Sequence, residues 1–244
     1  MTSLENKVAV VTGGGTGIGR ASAEALLADG AKVVVTGRRE EPLKQFAAQH
    51  PEQISYLRAD VARSGDAKKV IDSVIERHGR LDVLVNNAGI GFMKPLAETS
   101  DDEIGHLLSV NVAGLLAFSR EALGALGKTG GSIINISSTI ATAVMPAMVA
   151  YGGTKAAVEH ITRLLAAEVG PQGIRVNAVA PGATETDMTR GAMSGEMRDA
   201  ITSQTPLGRF GQPADIGSVV AWLAGPGAAW VTGQCVAASG GLML

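Results

Sequence analysis

This sequence of 244 residues has little cysteine, little excess of charge of either sign, and no long unbroken apolar run. The single cysteine, Cys235, excludes an internal disulfide and is typical of a protein in a reducing compartment. The formal net charge of −2 provides no basic field that would attract nucleic acid. We therefore expect no nucleic-acid partner.

No segment has the pattern of a signal peptide or a membrane span. The N-terminal MTSLENKVAVVTGGG has no apolar core behind a basic region. Residues 216–244 carry no charged side chain, but glycines and a proline interrupt them, so no apolar block of 18 residues remains. We interpret this segment as a buried helix and strand, and we expect a cytoplasmic protein with no membrane partner.

Short apolar runs alternate along the chain with segments that have helical spacing. The first two runs are KVAVVT at 7–12 and KVVVT at 32–36, and the last is QCVAAS at 234–239. Strands that are apolar throughout are buried on both faces, which predicts a parallel sheet with helices on each side. The predicted fold class is α/β: a single-domain, Rossmann-like, doubly wound parallel sheet of about seven strands, covering residues 1–244.

A glycine-rich loop, TGGGTGIG at 12–19, separates the first strand from the first helix. In this position, backbone N–H groups and the helix N-terminus can contact a pyrophosphate. We expect Gly13 to open the turn, Gly17 to permit close approach of a ligand, and Gly19 to let the helix and the strand pack. The spacing is G-x-x-x-G-x-G, and the common G-x-G-x-x-G does not fit here. An ordinary tight turn is the alternative.

The end of the second strand reads VVVTGRRE. Gly37 occupies the position where dinucleotide folds usually place an acidic residue for the adenine ribose. Arg38 and Arg39 follow, and a guanidinium binds phosphate through two hydrogen bonds. The pattern therefore favours NADP over NAD, although both arginines could instead form a solvated helix cap. Asp60, after the third strand, could bind the adenine amino group or simply begin a helix.

Tyr151 lies four residues before Lys155 in the segment AYGGTKAAVEH, so on a helix the two side chains share one face. A cation about 4 Å from the phenol is worth about 4 kcal/mol at an effective dielectric of about 20. That attraction would lower the pKa of the phenol by up to about three units and make it a proton donor near neutral pH. Ser138, at the end of the strand GSIINIS, could hydrogen-bond the same substrate oxygen. An ordinary surface pair is the alternative.

Together these motifs resemble the short-chain dehydrogenase/reductase family over nearly the whole chain. The motifs occur in the family's order: TGGGTGIG, NNAG at 86–89, a helix asparagine at Asn111, Ser138 thirteen residues before YGGTK, and PG at 181–182 leading to Thr186. Within the family, the chain looks most like the 3-oxoacyl-carrier-protein reductases.

The resemblance implies a role for each matched residue. Tyr151 would donate a proton to a carbonyl, Lys155 would lower the pKa of Tyr151 and bind the nicotinamide ribose, and Ser138 would orient the carbonyl. Asn111 would hold a water that completes a proton relay, and Thr186 would bind the carboxamide. No metal site is expected. The predicted NADP-binding residues are Gly13, Thr16, Gly17, Ile18, Gly19, Arg38, Asp60, Val61, Asn87, Ala88, Gly89, Tyr151, Lys155, Pro181, Gly182, Thr184 and Thr186.

Four residues depart from the family pattern. Gly14 and Gly15 stand where many NADP-dependent members carry a basic residue, which leaves Arg38 nearly alone. Ser239 replaces the usual aspartate before the terminal Gly-Gly, and Thr184 replaces a common aliphatic residue.

Residues 188–205 are rich in methionine and include Met193. They follow the strand that leads to Thr186, the predicted ligand of the cofactor carboxamide, and we interpret them as a substrate lid. With the wall TIATAVMPAMVA at 139–150 they predict an apolar pocket for a small-molecule carbonyl or alcohol. The expected function is NADPH-dependent reduction of an apolar ketone or a 3-oxoacyl substrate. An NAD-dependent alcohol or sugar dehydrogenase and a non-catalytic NAD(P)-binding regulator are the alternatives. The family and the apolar C-terminus indicate a homotetramer.

Overall fold

The computed structural model describes residues 4–190 and 194–242. Its sheet has seven parallel strands, in the spatial order 3-2-1-4-5-6-7 by their position in the chain. This arrangement is the predicted doubly wound α/β fold. The strands are β1 (Val8–Thr12), β2 (Lys32–Gly37), β3 (Ile54–Arg58), β4 (Val83–Asn86), β5 (Ser132–Ile136), β6 (Arg175–Pro181) and β7 (Cys235–Ala238).

Helices connect the strands and cover both faces of the sheet. They are α1 (Gly17–Ala28), α2 (Glu40–Gln49), α3 (Asp66–His78), α4 (Asp101–Leu108), α5 (Gly114–Thr129), α6 (Val149–Val169), α7 (Asp187–Arg190), α8 (Gly195–Gln204) and α9 (Pro213–Ala224). A π-helical segment, Ser109–Ala113, joins α4 to α5 into one continuous helix.

Two apolar layers enclose the sheet because successive strand residues point to opposite faces. Val11 packs in the layer formed with α1, α2 and α9, whereas Val10 packs in the layer formed with α3, α5 and α6. All five residues of β1 are buried. The continuous apolar runs of the sequence are therefore explained by burial on both faces, as predicted.

The strand order reverses between β1 and β4. Chain segments that leave these two neighbouring strands at their carboxyl ends diverge to opposite sides and open a crevice there. The glycine-rich loop follows β1 and the NNAG segment follows β4, so the topology brings both to this crevice. The fold thus places the first two predicted motifs side by side.

α1 begins at Gly17, inside the glycine-rich loop, and the continuous helix formed by α4 and α5 ends at Thr129. By length and composition, Asp101–Thr129 could span a membrane, with a mean hydropathy of 1.2, but 44% of its most apolar window is buried inside the fold.

The predicted lid comprises α7 and α8, and Met193 lies outside the described residues.

Asp82 links neighbouring strands at their amino-terminal ends, at the edge of the sheet opposite the crevice. Its carboxylate is 4% exposed and accepts hydrogen bonds from the backbone N–H of Val8 at 3.0 Å, from Arg80 at 2.7 and 2.8 Å, and from Lys7 at 3.2 Å. Its backbone carbonyl accepts from the N–H of Ser132 at 2.8 Å. Burial on its own would raise the pKa of Asp82, but these hydrogen bonds together hold that pKa below its ordinary value.

We expect Asp82→Asn to reduce the free energy of unfolding by about 1–3 kcal/mol at pH 7, because buried donors lose their charged acceptor. A depressed folded-state pKa contributes stability above the unfolded value of about 3.9, and that stability is lost as pH falls through the folded pKa. The difference between wild type and variant in the free energy of unfolding, measured with urea, should therefore become smaller from pH 7 towards pH 3.

Asp72→Asn is the matched control, because that carboxylate is 63% exposed and pairs with Lys68 on the surface of α3. Its effect should stay within about 0.5 kcal/mol. A gap for Asp82→Asn that is the same at both pH values would contradict the assigned charge effect.

Candidate active site

The glycine-rich loop forms a cradle of bare backbone between β1 and α1. Gly13 and Gly17 have positive φ angles of 65° and 54°, which side-chain-bearing residues rarely adopt. A Cβ on Gly19 would lie 2.3 Å from the carbonyl oxygen of Gly13, so only glycine lets the helix start this close to the loop. The first turn of α1 has no acidic residue to occupy its N–H groups. The cradle therefore fits a pyrophosphate.

Asn87 ties this loop to the end of β4. Its Nδ2 donates to the carbonyl oxygens of Thr12 at 2.8 Å and Gly13 at 3.2 Å. The hydroxyl of Thr12 in turn accepts from the backbone N–H groups of Asn87 and Ala88, both at 3.0 Å. Asn87 and Ala88, predicted to contact the cofactor directly, thus also support the loop, and Thr12 is a supporting residue that the sequence analysis did not select.

The end of β2 carries arginines beside the loop. Arg38 is exposed, and its carbonyl oxygen accepts from Nε of Arg58 at 3.2 Å. Arg39 donates from Nη2 to the hydroxyl of Thr16 at 3.3 Å and makes no side-chain cap at the start of α2. Arg39 was considered with Arg38 for phosphate binding but is not among the predicted cofactor-binding residues, and Arg58 was missed. Arg58 could not be selected because only the pairing of β2 with β3 brings it next to Arg38.

Asp60 and Val61 lie just beyond the end of β3. One carboxylate oxygen of Asp60 accepts from the N–H of Ala62 at 3.0 Å, and the backbone N–H of Asp60 donates to Asp66 at 3.0 Å. α5 packs tightly against Val61, since a Cβ on Gly114 would lie 2.8 Å from the Cβ of Val61. Both predicted adenine-side residues are therefore at the carboxyl edge of the sheet.

Tyr151 and Lys155 lie one turn apart on α6, as predicted. Nζ of Lys155 donates to the carbonyl oxygen of Ile136 at 2.8 Å and lies 5.8 Å from the centre of the Tyr151 ring. Burial lowers the pKa of Lys155 to about 8. Burial also raises the pKa of Tyr151, whereas the hydroxyl of Ser138 lowers it. The net direction for Tyr151 is opposite to the expected lowering, because desolvation of the phenol outweighs the contribution of its neighbours.

Asn111 lies in the π-helical segment and is 2% exposed. Its side chain exchanges two hydrogen bonds with the backbone of Ile90, both at 2.9 Å, and donates to the hydroxyl of Thr154 at 3.0 Å. That hydroxyl donates to the carbonyl oxygen of Tyr151 at 2.7 Å. Asn111 therefore connects the segment after β4 to the helix of Tyr151, and its role in holding a water stays a prediction.

Asn111 and Lys155 both lie close to Gly89. A Cβ at this position would lie 3.4 Å from Oδ1 of Asn111 and 3.5 Å from Nζ of Lys155. Ser138 follows β5 and is close enough to Tyr151 to affect its pKa. The four predicted catalytic residues thus come together from three elements that are far apart in the chain.

The segment after β6 completes the crevice. Pro181 ends β6, and a Cβ on Gly182 would lie 2.8 Å from Cα of Ser239, so glycine is required by close packing. The carbonyl oxygen of Thr184 accepts from the Thr189 hydroxyl at 2.6 Å, which orders the start of the predicted lid. The next predicted residue, Thr186, lies beside the glycine-rich loop.

The loop and the segment after β6 meet at Gly17. A Cβ on Gly17 would lie 3.4 Å from the methyl carbon of Thr186. Ile18 packs against the apolar layer below the loop. Within residues 4–190 and 194–242, no group of three or more His, Cys, Asp or Glu side chains is arranged to hold a metal ion.

Comparison with known proteins agrees with this geometry. The family model described as enoyl-(acyl carrier protein) reductase matches residues 13–243. An uncharacterised oxidoreductase of Methylorubrum extorquens is 43% identical over 99% of this chain and 100% of its own length. The 2,5-dichloro-2,5-cyclohexadiene-1,4-diol dehydrogenase of Sphingobium indicum is 37% identical over 99% of this chain and 98% of its own.

A solved structure that is similar over the whole chain contains a nicotinamide cofactor. The 3-ketoacyl-(acyl-carrier-protein) reductase of Brucella melitensis, complexed with NADH, has a TM-score of 0.93 and 32% identity, covering 99% of this chain and 100% of that one. The chain belongs to the short-chain dehydrogenase/reductase family and is an oxidoreductase that acts on CH–OH or C=O groups.

Gly91 sets the position of the Tyr151 ring. A Cβ here would lie 2.9 Å from Cε2 and 3.0 Å from Cδ2 of the ring. We expect Gly91→Ala to displace the phenol and to lower kcat at least about tenfold, since small misplacements of a reacting group are costly. Steady-state kinetics would measure this effect.

Gly153→Ala, on the same helix as Tyr151, is the matched control because nothing lies within 4 Å of its added Cβ. Its kcat should stay close to that of the wild type. Equal kcat values for Gly91→Ala and Gly153→Ala would show that the ring does not depend on contact with Gly91.

Proposed function

We propose that the protein reduces the carbonyl group of an apolar ketone or a 3-oxoacyl compound to a secondary alcohol with NADPH. The observation that carries this proposal is the meeting of Ser138, Tyr151 and Lys155 at the crevice that also holds the glycine-rich loop. A proton donor, a cation and a hydroxyl are thereby positioned beside a cradle that fits a dinucleotide.

A dinucleotide held by the glycine-rich loop, Lys155 and Thr186 would supply the hydride that reduces the carbonyl carbon. Tyr151 donates its proton to the carbonyl oxygen, and its raised pKa keeps the phenol protonated at neutral pH, as a donor must be. Ser138 donates a hydrogen bond to the same oxygen. Lys155, charged below its pKa of about 8, stabilises the phenolate left after transfer, and solvent returns a proton to Tyr151.

The choice of NADPH is supported by the end of β2. Gly37 has no carboxylate to repel a 2′-phosphate or to bind ribose hydroxyls. The guanidinium of Arg39 is held beside Thr16, and Arg58 lies against the backbone of Arg38. Three arginines at one edge favour a phosphate. The alternative, an NAD-dependent alcohol dehydrogenase, is favoured by the NADH named in the Brucella complex and by the diol oxidised by the Sphingobium relative.

We further propose a cytoplasmic homotetramer that has no nucleic-acid or membrane partner. Large apolar side chains are exposed on the continuous helix formed by α4 and α5 and on α6. Leu108 is 48% exposed, Leu116 is 44% exposed and Leu164 is 58% exposed. Packing between subunits would cover such residues.

Replacing Tyr151 with Phe removes only the phenolic hydroxyl. We expect the Tyr151→Phe variant to lose about 10²–10⁴-fold in kcat, the usual contribution of general acid catalysis, and to retain cofactor binding. Ketone-dependent oxidation of NADPH, followed at the nicotinamide absorbance, measures the loss. Turnover equal to that of the wild type would contradict the mechanism, and an absence of turnover in the wild type itself would favour a non-catalytic regulator.

The cofactor preference can be tested at Gly37. Its added Cβ would meet Gly13 and Leu43 at 3.9 Å, an ordinary contact, so a side chain can begin here without a clash. Fluorescence titration of the wild type should give tighter binding of NADPH than of NADH. Gly37→Asp should reverse this preference, with a change in the Kd ratio of about 10-fold or more, because the carboxylate binds ribose hydroxyls and repels the phosphate. Tighter NADH binding by the wild type would overturn the choice of NADPH.

A further inference from the structure

Three chain segments leave the carboxyl ends of the neighbouring strands β4, β5 and β6 and surround the candidate active site. They are residues 90–98, residues 139–150, and the described residues 183–190 and 194–212, and we call them the collar. Gly91 packs against the Tyr151 ring, the backbone N–H of Lys94 donates to the carbonyl oxygen of Ala147 at 2.8 Å, and Thr186 lies beside Gly17. A substrate that reaches Tyr151 therefore has to pass the collar.

The positive charges of the collar are all paired with carboxylates of the collar or of the adjoining helices. The sequence of the collar contains four basic side chains, and each of them makes an ion pair with a carboxylate: Lys94 with Glu103 at 2.8 Å, Arg190 with Asp187 at 3.2 Å, Arg209 with Asp215 at 2.6 Å, and Arg198 with Glu185.

Further negative charge remains on the collar. Glu98, Glu196 and Asp199 add carboxylates to it, and residues 139–150 carry no charge of either sign. An approaching anion therefore meets paired cations and additional acidic groups.

Apolar side chains are the other exposed feature of the collar. Six large hydrophobic residues project from it, with exposed fractions from 47% to 99%: Met93, Leu96, Val144, Val149, Met188 and Leu207. Such a surface gains free energy when it removes an apolar, uncharged compound from water, whereas a phosphate or carboxylate would lose hydration without finding a free cation.

Building on the proposed function, we infer that the substrate is a free, uncharged carbonyl compound with an apolar body, and that it is not delivered on an acidic carrier protein or as a phosphate-bearing thioester. Docking of an acidic carrier would require unpaired basic groups around the entrance. The collar presents ion pairs and carboxylates there instead.

One acyl chain in three forms tests the inference. The same 3-oxoacyl group is presented as the neutral N-acetylcysteamine thioester, the coenzyme A thioester and the acyl-carrier-protein thioester, and kcat/KM is measured at low ionic strength with NADPH and with NADH. We expect the neutral thioester to have a kcat/KM at least about tenfold higher than either charged form. A carrier thioester that equals or exceeds the neutral one would overturn the inference.

A charge variant makes the test specific to the collar. Glu103→Gln frees Lys94 and keeps a side-chain acceptor in the capping box with Ser100. It should raise kcat/KM for the coenzyme A thioester about 2–5-fold, without changing that for the neutral thioester, and 0.5 M salt should abolish the gain. Asp72→Asn makes the same change in net charge on α3 and should give no gain. Equal gains in both variants would count against a local effect of the collar.

A binding measurement separates this inference from the proposed function. Fluorescence anisotropy of labelled acyl carrier protein at low salt is expected to detect no binding to the wild type. Micromolar binding would overturn the inference whether or not any substrate is turned over. If none of the three thioesters and no apolar ketone is reduced with either cofactor, the proposed function fails, while absence of carrier binding still agrees with the charge pattern of the collar.

Discussion

The site depends on the close approach of backbone at the carboxyl ends of β1 and β4. Asn87 donates to the carbonyl oxygens of Thr12 and Gly13, and Gly19, in the first turn of α1, lies closer to Gly13 than any Cβ would permit. This contact fixes the glycine-rich loop and the segment that leads to Gly91 relative to each other. The pyrophosphate cradle and the position of the Tyr151 ring therefore share one support.

Burial shapes the chemistry of the site more than the attraction between its charges. Lys155 is 5% exposed and has a pKa near 8, so its charge is sensitive to pH in the physiological range. Tyr151 is kept protonated by the same low-dielectric surroundings. A phenol that holds its proton and an ammonium that stabilises the phenolate once it forms suit a donor in carbonyl reduction.

The charged side chains of the collar are arranged differently from those at the end of β2. Arginines gather at the adenosine side beside Thr16, whereas every basic side chain of the collar is paired with a carboxylate. This distribution is the basis of our two proposals, that the cofactor carries a 2′-phosphate and that the substrate is uncharged. The separation follows from topology, because the two regions follow strands on opposite sides of the switch point between β1 and β4.

The sequence by itself determined the class of fold and the placement of Tyr151 and Lys155 on one face of a helix. Continuous apolar strands require burial on both faces, and a Tyr and a Lys four residues apart on a helix must share a face. Only the tertiary structure decided the direction of the Tyr151 pKa shift, since desolvation depends on packing from distant segments. It also revealed Arg58 beside Arg38, Thr154 between Asn111 and Tyr151, and Gly91 against the ring, because contacts between residues far apart in the chain leave no local pattern.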